Sequence, residues 1–114
     1  MNREQMQTRY LDLIEITLPS LGRTRGWEFS EPHQFQRVVL DHVFRGNWHH
    51  HLRRGLRPHK NLNDIQFAQA VSFAEKLVKA TDAQAAAMDA QSRAWRERAA
   101  APKESRSRTF RMAR

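Results

Sequence analysis

The stretch His42 to Lys60, HVFRGNWHHHLRRGLRPHK, holds five of the six histidines, His42, His49, His50, His51 and His59. It also holds Arg45, Arg53, Arg54, Arg57, Lys60 and Trp48, and no acidic residue lies between Asp41 and Asp64. Imidazole can ligate a metal or move a proton near neutral pH, and arginine's planar fork suits phosphate. Three chemistries therefore compete for this stretch: metal binding, acid–base catalysis and polyanion recognition.

Metal binding is the weakest on spacing. Ligands on one helix must sit three or four residues apart to meet one ion, whereas His49, His50 and His51 are consecutive. A set drawn from Asp41, His42, one of the triplet and His59 requires convergence by tertiary folding. The expectation is no metal and no cofactor.

Catalysis fares little better. There is no cysteine, which removes thiolate nucleophiles, cysteine zinc sites and disulfides together. Nor is there a serine elbow, a glycine-rich phosphate loop or a paired-carboxylate motif. Histidines flanked by arginines can in principle cleave RNA, but a histidine beside an acid, as His42 is beside Asp41, is too common to point to that. The reading leans away from an enzyme, with no catalytic residue named.

Charge is the more informative signal. The chain has 20 Lys+Arg against 12 Asp+Glu, a net of +8. Arg45, Arg53, Arg54, Arg57 and Lys60 give residues 42–63 a charge of +5, and residues 93–114 carry +6, so the remainder is net −3. A slightly acidic body thus bears two cationic features, and most of the positive charge is arginine. This favours polyanion binding. The residues expected to contact nucleic acid are Arg45, Trp48, His49, His50, Arg53, Arg54, Arg57 and Lys60, joined by Arg106, Arg108 and Arg111 from the C-terminal arm. Trp95 and Phe110 add groups able to stack on bases. A helix, Gly46 and a second cationic helix loosely outline a helix-turn-helix, although Trp48 followed by three histidines is an unusual opening for a recognition helix.

The elements that must position these residues are helical. From Asn2 to Leu18, residues Met6, Tyr10, Leu13, Ile14 and Leu18 share one face, and Pro19 and Gly22 are read as the end. Trp27 and Phe29 are expected to pin the following loop to the body. Ser30, Glu31 and Pro32 start a second helix bearing Phe35, Val38, Val39, His42 and Val43, closed by Gly46. Asn47 caps a short helix from Trp48 to Arg54, and Arg57 before Pro58 is extended. Asn63 with Gln66 forms a capping box, and Leu62 staples onto Phe67.

From Phe67 a heptad seam runs through Val71, Ala74, Val78, Thr81, Ala85, Met88, Ser92, Trp95 and Ala99. Its unbroken register favours a continuous or kinked helix to about residue 100. Thr81 with Gln84 offers the competing reading, two helices with a corner. The half after Thr81 is alanine-rich and is expected to project or to pair with a second chain, with Met88 and Trp95 as anchors.

The expected fold is all-α: one helical domain over 1–101, with helices near 2–18, 31–45, 48–54 and 63–100, and a disordered arginine-rich tail over 102–114. The charged first twenty residues argue against a secretory leader, and no apolar run suits a membrane span, so a cytoplasmic protein is expected. The functional expectation is a small nucleic-acid-binding protein in a regulatory or accessory role. The alternative is a helical adaptor or inhibitor that binds a protein, or a second copy of itself, through residues 82–100.

Overall fold

A computed structural model describes residues 2–52 and 58–100, and the described residues are all-helical, with no strand. The chain enters its first helix, α1 (Arg3–Asp12), through a reciprocal cap: the Gln5 N–H donates to Asn2 Oδ1 at 2.8 Å and the Asn2 N–H to Gln5 Oε1 at 3.0 Å. A single π-turn, Leu13–Thr17, then leads without interruption into α2 (Leu18–Arg25).

This rod overturns the expected stop at Pro19 and Gly22. A proline ring inside an α-helix clashes with the carbonyl four residues back and supplies no N–H. Here the preceding turn is widened, and the Leu18 N–H donates to Leu13 O, five residues back, so the helix passes Pro19 through a π-bulge. Gly22 is buried beneath the loop after α2. A Cβ on it would lie 3.1 Å from Phe29 O and 3.3 Å from Phe35 Cζ, so the residue is small for packing. The actual stop is Gly26, left-handed at φ 72°. The Trp27 N–H reaches Gly22 O at 2.9 Å and the Gly26 N–H reaches Arg23 O at 3.3 Å, the two bonds of a Schellman turn.

Trp27 and Phe29 do pin the loop: Phe29 is buried and stacks on Trp27, with ring centroids 5.5 Å apart. The next helix, α3 (Pro32–Phe44), is started by Gln34, whose Oε1 accepts from the N–H groups of both Ser30 and Glu31, at 2.9 and 3.0 Å. Its C-terminal turn is closed by Arg45 at φ 54° and not by Gly46. The expected two-turn helix after it is, over the described residues, one 3-10 turn, Trp48–His50, capped by the Asn47 side chain.

A short helix α4 (Pro58–Asn61) precedes α5 (Asp64–Val78), which begins on the anticipated box between Asn63 and Gln66, with Leu62 and Phe67 both buried in the core. The chain then turns at Lys79–Thr81 and starts α6 (Asp82–Ala100). The corner, not the continuous helix, is what forms. Thr81 Oγ1 accepts from the Gln84 N–H at 3.1 Å and Gln84 Oε1 from the Thr81 N–H at 2.9 Å. The end of α2 clamps the turn: Arg25 donates to Ala80 O at 2.8 Å and Trp27 Nε1–H to Asp82 at 2.8 Å.

The core lies where α1, the π-turn, α3 and α5 meet, with Tyr10, Leu13, Leu18, Phe35, Val38, Val39, Leu40, Phe67 and Leu77 fully enclosed. The ring edge of Tyr10 meets Phe67 at 5.7 Å, and burial pushes the Tyr10 phenol well above its ordinary range. Helix α6 packs on α3. Residues 53–57 and 101–114, including the expected tail, lie outside the described residues.

Candidate nucleic-acid interface

Asp41, the last acid before the cationic stretch, is fully buried on α3 and faces α6. Its Oδ2 accepts from Arg96 Nε–H at 2.8 Å and Ser92 Oγ–H at 2.7 Å. Its Oδ1 accepts from Arg96 Nη2–H at 3.2 Å and from the backbone N–H of Trp48 at 3.0 Å. Four donors fill the acceptor sites of an ionised carboxylate, which is what allows it to lie in the interior. The main-chain carbonyl of Asp41 also takes the Gly46 N–H, at 3.0 Å. This one residue thus holds both the turn after α3 and the second half of α6.

The network continues one turn up. Arg37 donates to Ser92 Oγ at 2.9 Å and pairs with Asp89, which also meets Arg93 at 3.1 Å. Arg37 and Asp41 are four apart on α3, and Asp89, Ser92, Arg93 and Arg96 recur at three and four on α6, so each set forms one stripe. Sequence reasoning missed this constellation. Its signal was an oppositely charged pair of stripes on two helices otherwise read as apolar or solvated.

Two consequences follow for the charge distribution. Arg93 and Arg96, which the sequence grouped with the C-terminal cationic feature, are bound to the body. Asp12, Asp41, Asp64, Asp82 and Asp89, which are all the aspartates in the chain, each meet an arginine. Among the described residues Arg45 and Lys60 meet no acid, as is also true of Arg23, Lys76, Lys79 and Arg98.

The expected contact residues divide accordingly. Arg45 is exposed at the left-handed end of α3, and Trp48, His49 and His50 follow in the 3-10 turn, with Trp48 half-buried and both histidines exposed. His49 lies flat on Trp48 with centroids 3.8 Å apart, and His51 lies on Phe44 at 5.0 Å and 7° between planes. Lys60 is exposed on α4. Arg53, Arg54, Arg57, Arg106, Arg108 and Arg111 lie outside the described residues. The helix-turn-helix outline is not met over residues 48–52, because the element after α3 is a single turn held back by the Trp48 N–H.

Met88 and Trp95, the expected partner anchors, are both half-buried: Met88 packs against the core and Trp95 sets its edge on His42 at 4.9 Å. The α6 seam, with Ala85 and Ser92 buried beside them, is turned onto this chain's own body. The half expected to project or pair is docked on α3.

His42 sits in that seam. Its Nδ1–H donates to Val38 O at 2.7 Å and its ring stacks on Phe73 with centroids 4.4 Å apart. Burial lowers its pKa. The Val38 carbonyl and Asp41 pull the other way, and Lys76 adds to the lowering. A histidine kept neutral by the fold contributes stability that is whole above its unfolded pKa, about 6.5, and is lost as pH falls from there through the folded value. The melting temperature of the protein is therefore expected to fall from pH 7.5 to pH 5, and the His42→Phe variant to fall less over the same interval. An equal fall in both would place the acid sensitivity elsewhere.

Among the described residues no three His, Asp or Glu side chains come together as a metal site, and no helix is long and apolar enough to cross a membrane. Comparison with protein-family models, with curated proteins and with solved structures finds no match.

Proposed function

We propose that the chain is a small cytoplasmic nucleic-acid-binding protein of regulatory or accessory role. Its contact surface is the cationic stretch from Arg45 to Lys60, assisted by Arg106, Arg108 and Arg111. The observation that carries the reading is the acid-free run itself: no acid lies between Asp41 and Asp64, and within it Arg45 and Lys60 are exposed. Cations concentrated in one stretch without acids are the electrostatic footprint of a phosphate-binding protein. The alternative, an adaptor acting through residues 82–100, is favoured less because Met88 and Trp95 pack against this chain's own body.

Binding to an unspecific DNA or RNA probe, measured by anisotropy over a range of salt, tests the proposal. The logarithm of affinity is expected to fall linearly with the logarithm of salt concentration. Changing Arg53 and Arg54 together to alanine is expected to flatten that slope by about 1.4 to 1.8, two phosphate contacts. Absence of binding at low salt would sink the reading.

A further inference from the structure

We infer that the surface after α3 takes single-stranded in preference to double-stranded nucleic acid, with unpaired bases stacking on its exposed imidazoles; this rests on the nucleic-acid reading above. The first ground is what the segment is not. A reader of duplex DNA commonly presents a helix of several turns to the major groove. Residues 48–50 make one 3-10 turn, and its first N–H is tied to the buried Asp41. The described part of this surface is therefore a compact knuckle instead of a projecting rod.

The second ground is what the knuckle displays. Within eight residues, Phe44 to His51, two imidazoles are laid flat on larger aromatic rings, His49 on Trp48 and His51 on Phe44. Both imidazoles are exposed while Trp48 and Phe44 are half-buried and packed against the core. Each stack is thus anchored from below and has its upper ring at the surface. Next to Phe44 in sequence, Arg45 is exposed with a left-handed backbone, a conformation that costs a residue with a Cβ roughly 1–2 kcal/mol. Flat rings beside a cation are the parts of a single-strand platform: bases supply π-faces to stack and the backbone supplies phosphate. In a duplex those base faces are already covered by their neighbours.

The test uses the full chain and a labelled oligonucleotide of about 16 nucleotides, the upper site size of common single-strand folds, alone and annealed to its complement. At low salt the single strand is expected to bind more tightly. The variant carrying His49→Ala and His51→Ala is expected to lose about 30-fold or more in single-strand affinity, the loss of two stacked bases, with its melting temperature kept. Arg45→Gly puts the residue type best suited to the left-handed position in place of the cation, and is expected to weaken both probes without loss of stability. A duplex bound as tightly as the single strand, or an unchanged affinity in the histidine variant, overturns the inference and leaves nucleic-acid binding standing. No binding to either probe overturns both. The comparison of the two probes on the unaltered protein needs no variant to fold.

Discussion

Asp41→Ala is expected to destabilise the protein by about 3 kcal/mol or more, the usual loss when one partner of a buried ion pair is removed. The carboxylate is fully enclosed, while the Arg96 side chain is 27% exposed. The orphaned guanidinium can swing toward water, which holds the loss at the lower end of that range. Ser92 and the Trp48 N–H cannot move so easily, and each loses its acceptor. At about 4–8 °C per kcal/mol for a domain of this size, the melting temperature should drop by more than 10 °C.

The reverse truncation separates the charge pair from the rest. Arg96→Met keeps much of the packed stem but leaves the enclosed Asp41 carboxylate with only Ser92 and the Trp48 N–H as donors and no compensating charge, and should cost at least as much as Asp41→Ala. A double-mutant cycle between the two positions is expected to give a coupling of about 1–3 kcal/mol. Additive losses would mean that Arg96 is held to α3 by packing alone. Because the same carboxylate anchors α6 and the turn that carries Trp48, Asp41→Ala should also loosen the 45–51 knuckle, visible as faster amide exchange there than in Arg96→Met.

The helix starts were legible because caps are local. Asn63 with Gln66, and Leu62 before Phe67, state a helix entry within five residues, and the chain obeys. Stops were harder, since residue type alone does not show which glycine or proline ends a helix. Pro19 reads as a terminator in isolation, and only the widened turn before it shows otherwise. Gly22 and Gly46 resemble caps by type, yet Gly22 is a crossing point and Arg45 takes the left-handed place. At Thr81 an unbroken seam competed with a cap. The cap prevailed with help from Arg25 and Trp27, some fifty-five residues away in the chain.

The candidate site divides along the same line. The cationic stretch was visible as composition, since charge needs no fold to be counted. The buried network of Arg37, Asp41, Asp89, Ser92 and Arg96 was not, because a polar residue on a helix reads as solvated until a partner helix is placed over it. That network changes the functional reading as well, since it removes Arg93 and Arg96 from the C-terminal cationic feature and returns them to the scaffold.

Gly22→Val is expected to cost about 3 kcal/mol, at the upper end of overpacking losses. Alanine at this position is nearly balanced: it gains about 1 kcal/mol of helix propensity over glycine, against the strain of a Cβ at 3.1 Å from Phe29 O, 3.3 Å from Phe35 Cζ and 3.4 Å from Ser30 Cα. Valine carries two further methyl groups at a branched Cβ and has no such gain, so the strain decides. Two of the three neighbours are main chain of the segment leading into α3 and cannot yield by changing rotamer. The third is the tip of a fully buried ring that also packs on Phe29, with centroids 5.1 Å apart. Shortening that ring with Phe35→Leu should therefore restore part of the valine variant's stability but not all of it. Urea unfolding of the two single variants and the double variant reads this directly. A valine variant no less stable than the alanine variant would show that α2 and the α3 entry segment separate at little cost, and Gly22 would then be a helix residue with no role in the crossing.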